Sequence, residues 1–314
     1  MAVIKKNKKG FFFTFIAIII TSIFFVQFIA IPQAKSSEQI ELDAIKIALL
    51  NDFSKTLVES YIPSLMRAQT KKVMVEKMKT EANFIGHFGF DSEYDTIMAE
   101  QMDPMISEVL IAANNHLNVN TSLSLSNFKI QQVTPFLIEM SAWMEMKTSS
   151  VSGEIKFSYD DIIAANLSVV GMKDPLSVKH DGYDNARVIK PTLFVSFGAE
   201  NTTKLLNSGE YRSHSSAPSY LSRYMGDFTA GDGQGIETLV DRNKYGVSED
   251  VIDVDYEFFE GGHQCNADTG LADLYLANLN NPNVPNTYTL WLDKSHLGLY
   301  EVTPMSPWTD CEKP

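Results

Sequence analysis

The 314 residues carry 39 acidic against 26 basic side chains, which gives a formal net charge of −13 at pH 7. This balance argues against binding to nucleic acid and against docking on an anionic lipid surface, because both need basic patches. The length is sufficient for one large or two small domains with a hydrophobic core.

The first predicted element is an apolar helix from Phe11 to Ile31, a run without a single charged residue. At about 1.5 Å per residue it reaches roughly 31 Å, the thickness of a bilayer core. Four lysines and no acid precede it. The positive-inside rule therefore predicts residues 1–10 as a cytoplasmic leader, residues 11–31 as a single transmembrane helix in the lipid bilayer, and the remainder as extracytoplasmic.

Three interpretations of this N-terminus are open. A cleaved signal peptide has a shorter apolar region, and the best cut here, after Ala34, has Pro32 two residues upstream. An uncleaved anchor needs no cut. The third is a prepilin-type leader: Lys8-Lys9-Gly10 followed at once by Phe11 resembles the class III leaders of archaeal pilins and pseudopilins.

That resemblance implies a prepilin peptidase that cleaves between Gly10 and Phe11. It also implies pilin-like subunits as partners. Most pilins carry a glutamate at the fifth residue after the cut, where this chain has Phe15. The resemblance therefore favours a tip or minor subunit over one from the body of a filament.

Apolar residues recur every three or four positions from Ser36 to Phe84 and predict a helix that Pro63 kinks or divides. A second helix is predicted from Tyr94 to His116, with an interruption near Pro104. These segments make residues 32–119 an α-rich stalk region.

Period-two patterns predict that residues 120–314 form a β-rich extracytoplasmic region, so the expected fold class is α+β. Short strands are expected around Leu123–Ile130, followed by a half-buried strand over Phe136–Met146 and strands at 153–159, 167–170 and 192–197. Residues 236–240 are expected to form a short helical run after a glycine-rich loop.

Asp253, Asp255 and Glu257 alternate with apolar residues. The pattern predicts one strand with a wet acidic face, and three carboxylates on one face also make a calcium site an open alternative. No other cofactor is expected.

Two kinds of modification suit an exported chain. Cys265 and Cys311 are the two cysteines and predict one disulfide. Asn120, Asn166 and Asn201 each begin an N-x-S/T sequon, so they are candidate glycosylation sites.

Four segments stand out along the chain: KKGFFFTF, GMKDPL, APSYLSRYMG and GIETLV. Together they resemble a family of uncharacterised archaeal membrane-anchored exported proteins. The resemblance covers nearly the whole chain and brings no catalytic residues. No catalytic motif is found in the sequence either.

The sequence thus favours a membrane-anchored surface protein with a structural or binding role. The alternative is an anchored hydrolase acting on surface polymers, with His180, His263, His296 and the acids around Asp253 as its candidate residues. His180 with Asp181 and Asp184 is expected on an exposed loop.

Overall fold

A computed structural model describes residues 37–80, 90–117, 119–150, 156–194, 199–228, 231, 233–246, 251–259, 269–276, 286–293, 296 and 299–300. The apolar segment 11–31, the junction Gly10-Phe11 and both cysteines lie outside these residues. Of the helices that the structure describes, none is long and apolar enough to cross a membrane. The described residues mix helices with sheets, so the expected α+β class is confirmed at this level.

The N-terminal helical region begins with α1 (Ser37–Thr56), passes through one π-helical turn (Leu57–Tyr61) and continues as α2 (Ile62–Thr80). The helix is not divided at Pro63. Proline has no N–H to donate to the preceding turn, and the change of helical pitch lies directly before it.

The next helix, α3 (Phe90–Leu117), contains Pro104 without a break, so the predicted interruption there is wrong.

A three-stranded sheet follows in the order β1 (Val119–Thr134), β2 (Leu137–Ser150) and β3 (Lys156–Ser168). The alternation predicted for the central strand is confirmed, because its apolar members are almost fully buried: Ile138, Met140, Ala142, Met144 and Met146. The short strands expected before it are one continuous strand, β1.

The described residues after β3 form short helices and strands: α4 (Pro175–Asn185), α5 (Ala199–Ser208), β4 (Arg212–Ser213), α6 (Tyr220–Met225), β5 (Ile236–Glu237), β6 (Leu239–Asp241), a 3₁₀ turn (Arg242–Tyr245), β7 (Val251–Val254), α7 (Asp255–Phe259), β8 (Thr269–Leu276) and β9 (Asn286–Asp293). β4 pairs with β5, and a four-stranded sheet has the order β6-β7-β9-β8. In that sheet β7 and β9 are parallel and the other pairs are antiparallel.

Three local predictions are wrong. Residues 192–194 form no strand, and 195–197 lie outside the described residues. Residues 236–240 are not helical, because β5 takes Ile236–Glu237 and β6 begins at Leu239. His180 lies on α4 rather than on a loop, and its ring stacks on Phe259 with centroids 4.5 Å apart.

The chain forms two compact units. The first contains Met1–Met66, Ile97–Phe128 and Ala142–Ile163, and the second contains Arg67–Thr96, Lys129–Ser141 and Ala164–Pro314. Several helices and strands therefore contribute residues to both.

Candidate metal centre

Three of the four sequence segments singled out above meet in one buried network of the second unit. Arg223, from APSYLSRYMG, is fully buried. Its Nη1 donates to Asp174 of GMKDPL at 3.1 Å and to Asp255 at 2.5 Å. Its Nη2 donates to the carbonyl oxygen of Ile236, the second residue of GIETLV. The network fixes the backbone at the start of β5.

Charge compensation holds this network together. Burial by itself lowers the pKa of Arg223, but the carboxylates of Asp255 and Asp174 outweigh it and raise the pKa above its ordinary value. Asp174 also caps α4, as its extended backbone before Pro175 predicts, by accepting a hydrogen bond from the backbone N–H of Leu176. Tyr211 donates its hydroxyl to the same carboxylate at 2.8 Å.

Beside this network, β4 and β5 bring a histidine and a glutamate together. Arg212 of β4 is the cross-strand partner of Glu237 in β5. The pairing continues past β4, where the N–H of His214 donates to the carbonyl oxygen of Gly235 at 3.0 Å. Since alternate residues of an extended strand share a face, His214 lies on the same side as Arg212 and close to Glu237.

Gly235 permits this close approach. A Cβ atom at this position would overlap the backbone carbonyl oxygens of Ala217 and His214. The end of the glycine-rich loop before β5 is therefore packed against the segment that carries His214.

A helical turn supplies the second histidine. The N–H of Tyr300 donates to the carbonyl oxygen of His296 at 2.9 Å, an i to i−4 bond that places both side chains on one face. Nη1 of Arg212 donates to the carbonyl oxygen of Leu299 at 3.2 Å, so β4 holds this turn in place.

The three side chains converge on one carboxylate oxygen. Oε2 of Glu237 lies 2.8 Å from Nδ1 of His214 and 3.0 Å from Nε2 of His296. Glu237 and His296 are fully buried, and the His214 side chain is 9% exposed. All three potential ligand atoms lie within 4.8 Å of one another.

The other carboxylate oxygen has its own partners. Oε1 of Glu237 accepts a hydrogen bond from the Tyr300 hydroxyl at 2.9 Å and lies 3.7 Å from Nε of Arg212. Burial, followed by the charge of Glu237, raises the pKa of Tyr300 well above its ordinary value. Tyr300 therefore stays protonated and donates, which fixes the orientation of the carboxylate.

Glu237 is ionised at neutral pH in spite of its burial. Burial by itself raises the pKa of a carboxyl group, but hydrogen bonds from His214 and His296, together with their charge interactions, outweigh it and lower the pKa of Glu237. A buried, oriented carboxylate beside two imidazoles is therefore available as a ligand.

These residues fit a divalent transition metal. Imidazole nitrogen and carboxylate oxygen bind zinc at about 2.0–2.2 Å, which puts neighbouring ligand atoms of a tetrahedral site roughly 3.4 Å apart. His214 and His296 need to draw back from Glu237 by about 0.5 Å to meet that spacing, and their own ligand nitrogens, which lie within 4.8 Å of each other, need to move closer together. Tyr300 already supports the carboxylate from behind, as outer groups do in metal sites.

The acids expected on one strand do not share a face. β7 ends at Val254 and Asp255 opens α7, so the prediction of one continuous strand is wrong. Asp253 and Asp255 are fully buried and bind different arginines, Arg242 at 2.5 Å and Arg223 at 2.5 Å. The charges of both aspartates, two of the three candidate calcium ligands, are therefore already balanced by arginines. Glu257, the third candidate, is half-buried on α7.

The other predicted site residues that the structure describes are not ligands of the centre. Asn120 on β1 and Asn166 on β3 are exposed, and Asn201 on α5 is half-buried. His263, Cys265 and Cys311 lie outside the described residues. Of the candidate hydrolase histidines, His296 is at the centre, whereas no sequence motif pairs it with His214 or Glu237.

The chain was compared with protein families, curated proteins and solved structures, and none of them matches it.

Proposed function

We propose that this chain is a single-pass, membrane-anchored surface protein with a structural or binding role, and that its second unit binds one divalent transition-metal ion. The ligands are His214, Glu237 and His296. The observation that carries the metal-binding role is their convergence, within 4.8 Å of one another, in a buried site.

The donor chemistry favours zinc over calcium. Two imidazole nitrogens and one carboxylate suit zinc and its neighbours in the transition series, whereas calcium prefers an all-oxygen shell. A bound metal ion would also link the β4–β5 pair to the turn that carries His296. His296 follows Glu237 by 59 residues in the sequence. Metal binding is therefore expected to stabilise the folded state.

Zinc titration of the full-length protein in detergent, stripped of metal beforehand, tests this role. We expect one zinc ion per chain, and affinity at least about 100-fold weaker in His296→Asn and in Glu237→Gln because each loses a ligand. The control is His116→Asn, which changes an exposed histidine at the end of α3. The metal assignment fails if wild type binds no zinc or if the two variants bind it as wild type does.

The membrane anchor rests on the N-terminal residues, and the family rests on four segments spread along the chain. The lysine-rich leader, Gly10 and the apolar run from Phe11 support a prepilin-type leader and a non-body role in a pilus-like or secretion system. The bilayer, a prepilin peptidase and pilin-like subunits would be its partners. The motifs KKGFFFTF, GMKDPL, APSYLSRYMG and GIETLV support membership of the archaeal exported family.

Mass spectrometry of the native N-terminus tests the leader. A chain that begins at Phe11 supports prepilin-type cleavage, and one that begins at Met1 or Ala2 supports an uncleaved anchor. Cleavage after Ala34 would remove the apolar helix and contradict both.

A hydrolase is the second candidate function, and the donor set favours it. The three ligands among the described residues leave a fourth position for water, as in catalytic zinc sites. The Tyr256 hydroxyl lies 3.3 Å from Nε2 of His296. Cobalt substitution tests for that open position. Acetate should change the visible spectrum of the cobalt protein if exchangeable water is a ligand, and an unchanged spectrum would leave a closed, structural site.

A further inference from the structure

Tyr256 contacts the metal centre through its hydroxyl group. The hydroxyl oxygen lies 3.3 Å from Nε2 of His296, the same nitrogen that lies 3.0 Å from Oε2 of Glu237. The two rings do not stack, because their centroids are 6.3 Å apart and their planes are inclined by 44°. The contact is therefore made by the tyrosine oxygen at the nitrogen that would bind a metal ion.

The spacing at His296 is that of two ligands on one ion. Ligand atoms of a tetrahedral zinc site with bonds of about 2.0–2.2 Å lie roughly 3.4 Å apart, close to the 3.3 Å between Nε2 and the Tyr256 oxygen. Nε2 offers one lone pair or one proton, so its two hydrogen-bond partners lie on its outward side. A metal ion on Nε2 would occupy that side, next to the oxygens of Glu237 and Tyr256.

The backbone holds Tyr256 in a fixed position relative to Glu237, because their chain neighbours bind each other. The N–H of Thr238 donates to Oδ1 of Asp255 at 3.2 Å, and the N–H of Asp255 donates to the carbonyl oxygen of Thr238 at 2.9 Å. Arg223 donates to both oxygens of the same Asp255 carboxylate. The buried arginine network thus positions Tyr256 on α7 as well as Glu237 on β5.

The charges at the centre favour a further anionic ligand. A zinc ion brings two positive charges, Glu237 supplies one negative charge, and Nε of Arg212 lies 3.7 Å from the other carboxylate oxygen. Glu237 and His296 are fully buried, and buried charge is costly unless it is matched. An ionised Tyr256 oxygen on the metal would reduce the positive excess, whereas a neutral water ligand would not.

We propose that Tyr256 is the fourth protein ligand of the metal centre, beside His214, Glu237 and His296. As the metal–oxygen bond forms, the hydroxyl proton passes to solvent and the phenolate oxygen binds the ion. This assignment rests on the metal-binding role proposed above. It makes the site a closed one that links β5, α7 and the turn at His296, which favours a structural metal over a hydrolytic one.

Ultraviolet difference spectroscopy during zinc titration tests the assignment. The sample is the full-length protein in detergent at pH 7, stripped of metal beforehand. Free tyrosine hydroxyls stay protonated at this pH, so a tyrosinate signal that grows with zinc reports ligation. We expect the signal to level off at one ionised tyrosine per bound zinc ion.

Variants then identify the tyrosine. Tyr256→Phe keeps the ring that packs against the apolar cluster of α4, β6 and α7, and it should abolish the tyrosinate signal and weaken zinc binding at least about tenfold. Tyr245→Phe is the matched control, because Tyr245 is also half-buried and its hydroxyl donates to Asp181 at 3.3 Å. It should keep the signal, with zinc affinity within about twofold of wild type. Tyr300→Phe should keep the signal too, since Tyr300 donates its proton to Glu237.

The cobalt protein gives a second measurement that a merely structural hydroxyl would not affect. With Tyr256 as the fourth ligand, acetate should leave the visible spectrum of the wild-type cobalt protein unchanged. In Tyr256→Phe the vacated position should take water, so acetate should then change the spectrum.

The possible failures are distinguishable. Zinc binding without a tyrosinate signal would overturn Tyr256 as a ligand and leave the proposed three-ligand metal site in place. A signal that persists in Tyr256→Phe would assign the phenolate to another tyrosine and also overturn the proposal. Absence of zinc binding would contradict the metal site itself, and this ligand with it.

Discussion

Arg223 is a buried cation whose charge is balanced by two buried carboxylates, Asp174 and Asp255. Arg223→Met would leave both carboxylates in the interior without their counter-charge. We expect the free energy of unfolding to fall by about 3–5 kcal/mol, the usual cost of breaking a buried ion pair from one side. Chemical denaturation followed by circular dichroism measures the difference.

The control for Arg223 is Lys71→Met, which removes a cation from an exposed position of α2 and should change stability by less than about 0.5 kcal/mol. Adding Asp255→Asn to Arg223→Met should recover part of the loss, because it removes one of the stranded charges. If the double variant is no more stable than Arg223→Met alone, the assigned ion pair between Arg223 and Asp255 is contradicted.

Glu237 makes stability depend on pH in a known direction. Its pKa is lowered in the folded protein, where the two histidine hydrogen bonds outweigh the opposing effect of burial. The ionised carboxylate therefore stabilises the fold above its unfolded pKa of about 4.3, and this contribution is lost as pH falls through the lower folded value.

We expect metal-free Glu237→Gln to be less stable than metal-free wild type by about 2–3 kcal/mol at pH 7. The gap should narrow as the pH is lowered below about 4.3. Urea denaturation of both proteins at pH 7 and pH 3.5 measures it. A gap that stays constant or widens in acid would mean that Glu237 is not held ionised by its neighbours.

At the scale of elements, the β4–β5 pair depends on a glycine. Gly235→Ala would place a methyl carbon 1.9 Å from the carbonyl oxygen of Ala217 and 2.4 Å from that of His214, so the backbone of this strand pair must shift. We expect a loss of about 1–3 kcal/mol in unfolding free energy. Zinc affinity should fall as well, because His214 is carried on the displaced segment.

Gly171→Ala is the matched control for the glycine change. Gly171 has a positive φ of 83° but open space where a Cβ would lie. It should cost about 1 kcal/mol in backbone strain and leave zinc affinity unchanged. Equal zinc affinity in both variants would contradict the view that Gly235 positions His214.

Periodicity correctly predicted the element in which buried apolar residues alternate with more exposed ones along the chain. Ile138, Met140 and Met144 point into a core, and their spacing alone indicates a half-buried strand. The same reasoning fails at Asp253 and Asp255, where acids are buried because distant arginines neutralise them. A period-two pattern does not distinguish acids exposed to solvent from buried acids that pair with arginines.

The candidate metal centre could not be predicted from the sequence pattern for the same reason. His214 and Glu237 are 23 residues apart, and His296 follows Glu237 by 59. No short motif holds this set, since β4, β5 and the turn at His296 meet only in the folded chain. Two features of the sequence pointed toward the centre. One was the segment GIETLV, which contains Glu237, and the other was the presence of histidines as possible ligands.

For the molecule as a whole, the proposed export predicts the state of the cysteines. A chain translocated through the membrane enters a compartment where disulfides persist, and Cys265 and Cys311 are its two thiols. Their bond would close a loop of about 47 residues and add roughly 4 kcal/mol by restricting the unfolded chain.

Alkylation of the native protein under denaturing conditions, before and after reduction, tests this expectation. We expect no label before reduction and two labels afterwards, with a matching fall in unfolding free energy in the reduced protein. Cys265→Ser with Cys311→Ser should be no more stable than the reduced wild type. Two labels before reduction would contradict the disulfide and, because thiols stay reduced in the cytosol, would also weigh against export.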